Sequence, residues 1–255
     1  MGKTIAITGA KGGCGKTLLT GALGAAIAAA GKKVCLVDGC IGLRGLDILL
    51  GVQDRVVFDW LDLCEKTCSV EQALIPAERL NVRFIAAPQQ EIDMGEIPEA
   101  FCKLTDRLKK RFDAVLLDIP GDLTPFMRQV CADADEAMLI SVPGDAAARN
   151  AERMASLLYE TRGGKPISLV MNFFEKHLVT RGKTPAPDAV AAYLDLPLIG
   201  LIPASEALGD ALFDHKLPDE YPERVKKAVE EMAQRLEGKD VPLPSFHERR
   251  FPWHS

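Results

Sequence analysis

The sequence predicts an α/β fold, a doubly wound and mostly parallel sheet flanked by helices. Three observations carry that expectation. Short β-branched or apolar runs alternate with longer helical stretches along the whole 255-residue chain. Several of these runs are continuously apolar, the pattern of strands covered on both faces. The glycine-rich and acidic segments that look chemically committed each follow such a run directly, where an open parallel sheet gathers its ligand.

The elements follow in order. A strand at 3–8 leads into Gly9-Ala10-Lys11-Gly12-Gly13-Cys14-Gly15-Lys16-Thr17, and then into an Ala/Leu-rich helix over 16–30 closed by Gly31. Further strands are expected at 33–38, 82–87, 113–118, 136–142, 166–171 and 197–202. Helices fit 96–111, 123–132, 146–162 and 186–194, with shorter ones between 44 and 75. A last helix of mixed charge spans 221–236. Residues 9–17, 38–47, 118–122 and 171–172 all follow strands, so they should meet on one edge of the sheet. No Ser/Gly/Pro-rich linker divides the chain, so one domain is expected over 1–237, followed by a Pro-rich tail over 238–255.

Composition narrows the class. With 47% hydrophobic and 26% charged residues the chain can bury a substantial core. The net charge of −5 argues against non-specific nucleic-acid binding, which rests on neutralising phosphates. The basic stretch 107–111 fits the wet end of a helix instead. No apolar run approaches the roughly 18 residues of a membrane span, and no signal segment is visible, so a cytoplasmic protein is expected. The seven cysteines form no Cys-x-x-Cys pair, and Cys64 and Cys68, four residues apart, supply two ligands where zinc usually takes four. Cys35, Cys102 and Cys131 read as buried free thiols. The four histidines fall in no catalytic pattern.

The loop at 9–17 has the make-up of a triphosphate cradle. Gly9, Gly12, Gly13 and Gly15 let backbone N–H groups converge on phosphate oxygens. The following helix N-terminus favours negative charge. Lys16 suits the β/γ oxygens, and the hydroxyl of Thr17 suits Mg²⁺.

Lys11, a second lysine ahead of Lys16, gives the loop its resemblance to the deviant Walker A branch of the P-loop NTPases, the ParA/MinD ATPase family. The segment from Val37 to Asp47 and Arg55-Val56-Val57-Phe58-Asp59 are similar to the switch I region of that family's septum-site-determining branch. Asp118-Ile119-Pro120 is similar to its switch II. Arg149 to Arg153, Met171-Asn172 and Ile199 to Pro203 have counterparts in order, so the resemblance covers roughly residues 2–237. It implies ATP and Mg²⁺ as ligands, with Gly12, Gly13, Cys14, Gly15, Lys16, Thr17 and Leu18 around the phosphates. Thr17 and, through water, Asp118 would hold the metal. Asn172 and Pro203 would flank the adenine. Lys11 would reach across an ATP-bound homodimer to the partner's phosphates, supplying charge in trans as an arginine finger does. Asp38 would belong to the hydrolytic switch. The implied role is control of division-site placement, with a MinC-type inhibitor and an activating or topology factor as partners.

Three departures fall inside the implied active site. Switch I reads Asp38-Gly39-Cys40 where the family has two aspartates, and a thiol is a weak, uncharged substitute for a carboxylate. Switch II continues as Pro120-Gly121-Asp122, placing a carboxylate where the family has Pro-Ala-Gly. Leu18 replaces the hydroxyl residue that usually follows Thr17. Lys11, Lys16, Asp38, Cys40 and Asp122 are therefore the candidate catalytic set. Slow hydrolysis is expected, and a nucleotide-binding pseudo-ATPase scaffold is the alternative. A metallochaperone or iron-protein relative is a third reading, opposed by the lack of paired metal-binding cysteines. In the tail, Phe246, Phe251 and Trp253 beside Arg249 and Arg250 suit a weak anchor on an anionic membrane surface, at the inner face of the cell membrane. Pro252 and Glu248 oppose it, and a tail free in solution or packed on its own domain is the rival.

Overall fold

The computed structural model describes residues 2–244 apart from Ala10, residues 91–94 and Glu96. Among these, eight strands make one sheet: β1 (Lys3–Gly9), β2 (Val34–Asp38), β3 (Ile75–Ala77), β4 (Val82–Ile85), β5 (Ala114–Asp118), β6 (Glu136–Ser141), β7 (Ile167–Phe174) and β8 (Leu198–Pro203). Their order is β3-β4-β2-β5-β1-β6-β7-β8, and only the β3–β4 pairing is antiparallel. The chain winds outward from β1 in one direction, returns through β5, and winds outward again. That is the doubly wound topology, with the central strand ends forming the crevice.

The described residues also form eleven α-helices, α1 (Lys16–Ala29), α2 (Leu46–Leu49), α3 (Trp60–Glu65), α4 (Val70–Ala73), α5 (Ile97–Leu108), α6 (Pro125–Asp133), α7 (Asp145–Arg162), α8 (Lys176–Thr180), α9 (Pro187–Leu194), α10 (Glu206–Phe213) and α11 (Glu223–Leu236), and three short 3-10 helices. Their starts are chemically marked. Asp59 and Asp62 form a reciprocal capping box on α3, as Ser69 and Gln72 do on α4. Thr124 caps α6 ahead of Pro125, and Ser205 caps α10. Two apolar layers sandwich the sheet. One joins Leu19 and Leu23 of α1 to Val225 and Met232 of α11 against Ile5, Ile7 and Leu36. The other joins Trp60, Phe101, Phe126 and Leu158 from α3, α5, α6 and α7 against Ala6, Val37 and Leu117.

All seven expected strands are present, with bounds shifted by up to three residues. Among the strands and α-helices three were not expected: β3, a three-residue edge strand containing Pro76, and the helices α8 and α10. Beyond α11, Arg235 donates to the carbonyls of Val241 at 2.7 Å and Pro242 at 2.8 Å, tying the start of the tail to the domain. The tail aromatics Phe246, Phe251 and Trp253 lie outside the described residues. Among the described residues no helix is long and apolar enough to cross a membrane.

Candidate functional site

Register builds the site. β2 and β5 are neighbours with Asp38 opposite Asp118, and β1 lies on the far side of β5 with Ile7 opposite Asp118. The segments after β1, β2 and β5 therefore leave the sheet side by side. Gly39 N–H donates to the Asp118 carbonyl at 2.8 Å, and Ile119 N–H donates to Ile7 O at 2.9 Å. Those two bonds lace switch I and the phosphate loop to switch II.

The loop after β1 turns through Gly13 and Gly15, at φ of 75° and 89°, and delivers Lys16 and Thr17 to the first turn of α1. Side chains at these two positions would be strained. Lys11, Gly12 and Gly13 are exposed, whereas Gly15, Lys16 and Thr17 are half-buried. The Lys16 ammonium donates to the Lys11 carbonyl at 3.4 Å. Switch II closes on the same loop: a Cβ at Gly121 would lie 2.0 Å from Gly9 O and 3.2 Å from Lys16 Nζ. Only glycine permits that approach, so the residue that departs from the family pattern here is also the one the contact requires.

Below the loop, Asp38, Cys40 and Asp118 converge, with one donor atom of each within 4.8 Å of the others. Both aspartates are fully buried and Cys40 is half-buried. Asp38 accepts backbone N–H bonds from Cys40 at 2.9 Å and from Leu46 at 3.3 Å. Neither oxygen of Asp118 has a hydrogen-bond partner. Burial pushes the Asp38 carboxyl up to about 7, with the nearby Asp118 adding to the rise. Burial likewise pushes Asp118 up to about 6, opposed by the hydroxyls of Thr17 and Thr20 and by the charge of Lys16. The Cys40 thiol is pushed well above the usual thiol range by burial and by the charges of Asp118 and Asp38, so it stays protonated and neutral. Its Sγ donates weakly to the Asp118 carbonyl at 3.7 Å.

A buried carboxylate with two orphan oxygens costs free energy unless a cation or an ordered water completes it. Asp118 lies within electrostatic reach of both Lys16 and Thr17, so the residues present fit a hydrated Mg²⁺ beside a nucleotide. Gly45 of switch I also approaches Thr17, since a Cβ there would lie 3.6 Å from the Thr17 methyl.

The side chains of three expected site residues are taken up by packing or hydrogen bonds inside the domain. Leu18 packs into the core with 6% exposure, so only its backbone can face a phosphate. Cys14 is buried, and its carbonyl accepts from Asn172 Nδ2 at 2.9 Å. Asn172 is fully buried, and its Oδ1 accepts the N–H of Phe173 at 2.9 Å. With both arms engaged, Asn172 braces the phosphate loop. Pro203 is placed differently: it lines an open cleft of about 1110 Å³ at the ends of β7 and β8, with Phe174, Ala204 and Arg224. Asp122 is exposed, and its charge reaches Cys40. Trp60 was not anticipated, yet its indole touches switch I directly. The Asp59-x-x-Asp62 cap announces the helix, but no sequence signal announces the partner of the indole.

A family model described as the CobQ/CobB/MinD/ParA nucleotide-binding domain matches residues 5–218. The septum site-determining protein MinD of Bacillus subtilis is 32% identical over 252 residues, covering 98% of this chain and 94% of that protein. A chain of the Aquifex aeolicus MinC:MinD cell division protein complex superposes with a TM-score of 0.83 at 30% identity, covering 96% of this chain and all of that one. MinD of Pyrococcus horikoshii in complex with Mg-ADP superposes with a TM-score of 0.79 at 23% identity, covering 93% and 96%, a likeness of fold.

Proposed function

This chain belongs to the CobQ/CobB/MinD/ParA nucleotide-binding family, and on that premise we propose that it is a MinD-type ATPase switch in division-site placement. It binds ATP with Mg²⁺, pairs with a second copy across the nucleotide, and separates on hydrolysis. The observation that carries this reading is the fully buried, unpartnered carboxylate of Asp118 at the foot of the phosphate loop.

The chain's own groups divide the work. Backbone N–H groups of Gly12 to Leu18 and the ammonium of Lys16 hold the phosphates. The Thr17 hydroxyl and, through water, Asp118 hold the Mg²⁺, whose part is to neutralise charge on the β- and γ-oxygens. Lys11, exposed at the rim of the loop, acts on the partner's nucleotide. Asp38 orients groups around the attacking water through switch I. The cleft beside Pro203 takes the base.

Hydrolysis is slow in this account. Cys40 stands where a carboxylate would position the water, and its neutral thiol accepts hydrogen bonds weakly. The same observation favours the second reading, a nucleotide-binding scaffold with little turnover. Asp122 is the group available to compensate.

Leu43 on switch I and Leu123 beyond switch II are exposed apolar side chains at the rim of the site, 80% and 41% exposed. They provide a surface that changes with the nucleotide, suited to a MinC-type inhibitor or an activating factor. In this reading the protein works in the cytoplasm, and the tail 245–255 attaches the ATP-bound dimer to the inner face of the membrane. Two copies of a weak anchor bind far better than one. ATPase activity measured with and without anionic vesicles tests turnover and attachment together. Mg²⁺-dependent turnover that vesicles increase is the expected result; no turnover in either condition, even in a single-turnover format, selects the scaffold reading.

A further inference from the structure

Replacing a switch I carboxylate by Cys40 does more than remove a charge, because it changes which cations the pocket suits. We propose that Asp38, Cys40 and Asp118 form a binding site for a thiophilic divalent cation of the Zn²⁺ or Co²⁺ type in the nucleotide-free protein.

The donors are held before any ion arrives. One atom each of Asp38, Cys40 and Asp118 lies within 4.8 Å of the other two. Bonds of roughly 2.0–2.3 Å from a central ion draw such donors a little closer together. The Cα positions of Asp38 and Asp118 are fixed by strand register. The turn to Cys40 is fixed by its own N–H on Asp38 Oδ1 and by Gly39 N–H on the Asp118 carbonyl. Each Asp38 oxygen accepts a single backbone N–H and keeps a lone pair, while Asp118 has both oxygens free although fully buried. Cys40 is the least buried residue of the three.

The mixed sulfur and oxygen set decides the ion. Mg²⁺ takes oxygen donors and keeps its waters, whereas thiolate favours the later first-row dications. On binding, the Cys40 S–H bond breaks, sulfur donates its pair to the metal, and the proton leaves to bulk water. Two buried carboxyls beside the ammonium of Lys16 leave the pocket attractive to a dication. One consequence rests on the function proposed above: an ion sharing Asp118 would compete with Mg²⁺ and hold the switch unproductive.

Titration of nucleotide-free protein with Co²⁺, read as the near-ultraviolet sulfur-to-cobalt charge-transfer band, tests the site without any turnover. The expected result is a band saturating at one Co²⁺ per chain and bleached by Zn²⁺. It should be lost in both Cys40→Ala and Cys40→Ser, and kept in a Cys64→Ser/Cys68→Ser double variant. Circular dichroism establishes that at least one Cys40 variant is folded. No band in the wild-type protein, or one that survives loss of the Cys40 sulfur in a folded variant, overturns the inference. Mg-ATP binding, measured separately by equilibrium dialysis, tests the function itself, so failure of one is distinguishable from failure of the other.

Discussion

The indole N–H of Trp60 donates to the backbone carbonyl of Asp38 at 2.9 Å, linking the first residue of α3 to the head of switch I. The same indole stacks on Phe126 with ring centroids 5.7 Å apart and meets Phe101 edge-on at 5.0 Å. Phe126 is the second residue of α6, just beyond switch II, and a Cβ on Gly39 would lie 3.5 Å from its ring. Both switches therefore lean on one buried aromatic wedge, so a shift of either is felt by the other through close packing.

Trp60→Phe keeps most of that packing and deletes the donor. The Asp38 carbonyl is then left buried without the bond, which should cost about 1–3 kcal/mol of stability. Urea denaturation checks it; a midpoint equal to that of the wild type would show the bond to be unimportant.

Asp118→Asn should stabilise the metal-free, nucleotide-free protein at neutral pH while abolishing Mg²⁺-dependent turnover. The sign follows from linkage. The folded carboxyls of Asp38 and Asp118 sit at about 7 and about 6, above the ordinary value of 3.8, so the folded state holds more protons between them. The pair's contribution to stability is present in acid and is lost as pH rises through that window. Melting temperatures in chelator at about pH 8 should favour the variant, by roughly 2–4 °C per kcal/mol. The gap should narrow toward about pH 5. A gap that widens in acid contradicts the assignment.

Cys40→Asp should raise the ATPase rate by roughly 10²-fold, the usual worth of a positioned acid–base group. Asp122→Gly in the otherwise native chain should lower the rate if that exposed carboxylate already compensates. Steady-state phosphate release measures both, and rates unchanged in each variant would remove both residues from the hydrolytic account.

Much of this architecture was legible in the sequence. The strands that carry the site are continuous apolar runs ending in glycine or aspartate, so their type and the location of the ligand edge could be read in advance. β3 could not, because Ile75-Pro76-Ala77 is too short to show a period and gains its ladder only from β4. α10 carried a readable Ser205 cap, and α8 is a single short stretch with no buried residue to give it a periodic face. Asn172 and Trp60 mark the real boundary of such reading. Residue type placed Asn172 near the site and gave no hint of Trp60, but whether an amide faces a base or a loop carbonyl is decided by contacts across 158 residues of chain. The closeness of Gly121 to Gly9 is equally a through-space fact, set by the pairing of β1 with β5.

Sedimentation velocity with Mg-ATP and with Mg-ADP asks whether nucleotide drives pairing through a lysine acting in trans. Lys16→Ala, lacking the charge that meets the phosphates, should bind no nucleotide and stay monomeric. The wild-type chain should be dimeric with Mg-ATP and monomeric with Mg-ADP. Lys11→Ala should still bind ATP yet remain monomeric, with turnover reduced by about 10³–10⁵ as for other trans-acting charges. An ATP-dependent dimer of Lys11→Ala, or a wild-type chain that stays monomeric with saturating Mg-ATP, would contradict the account.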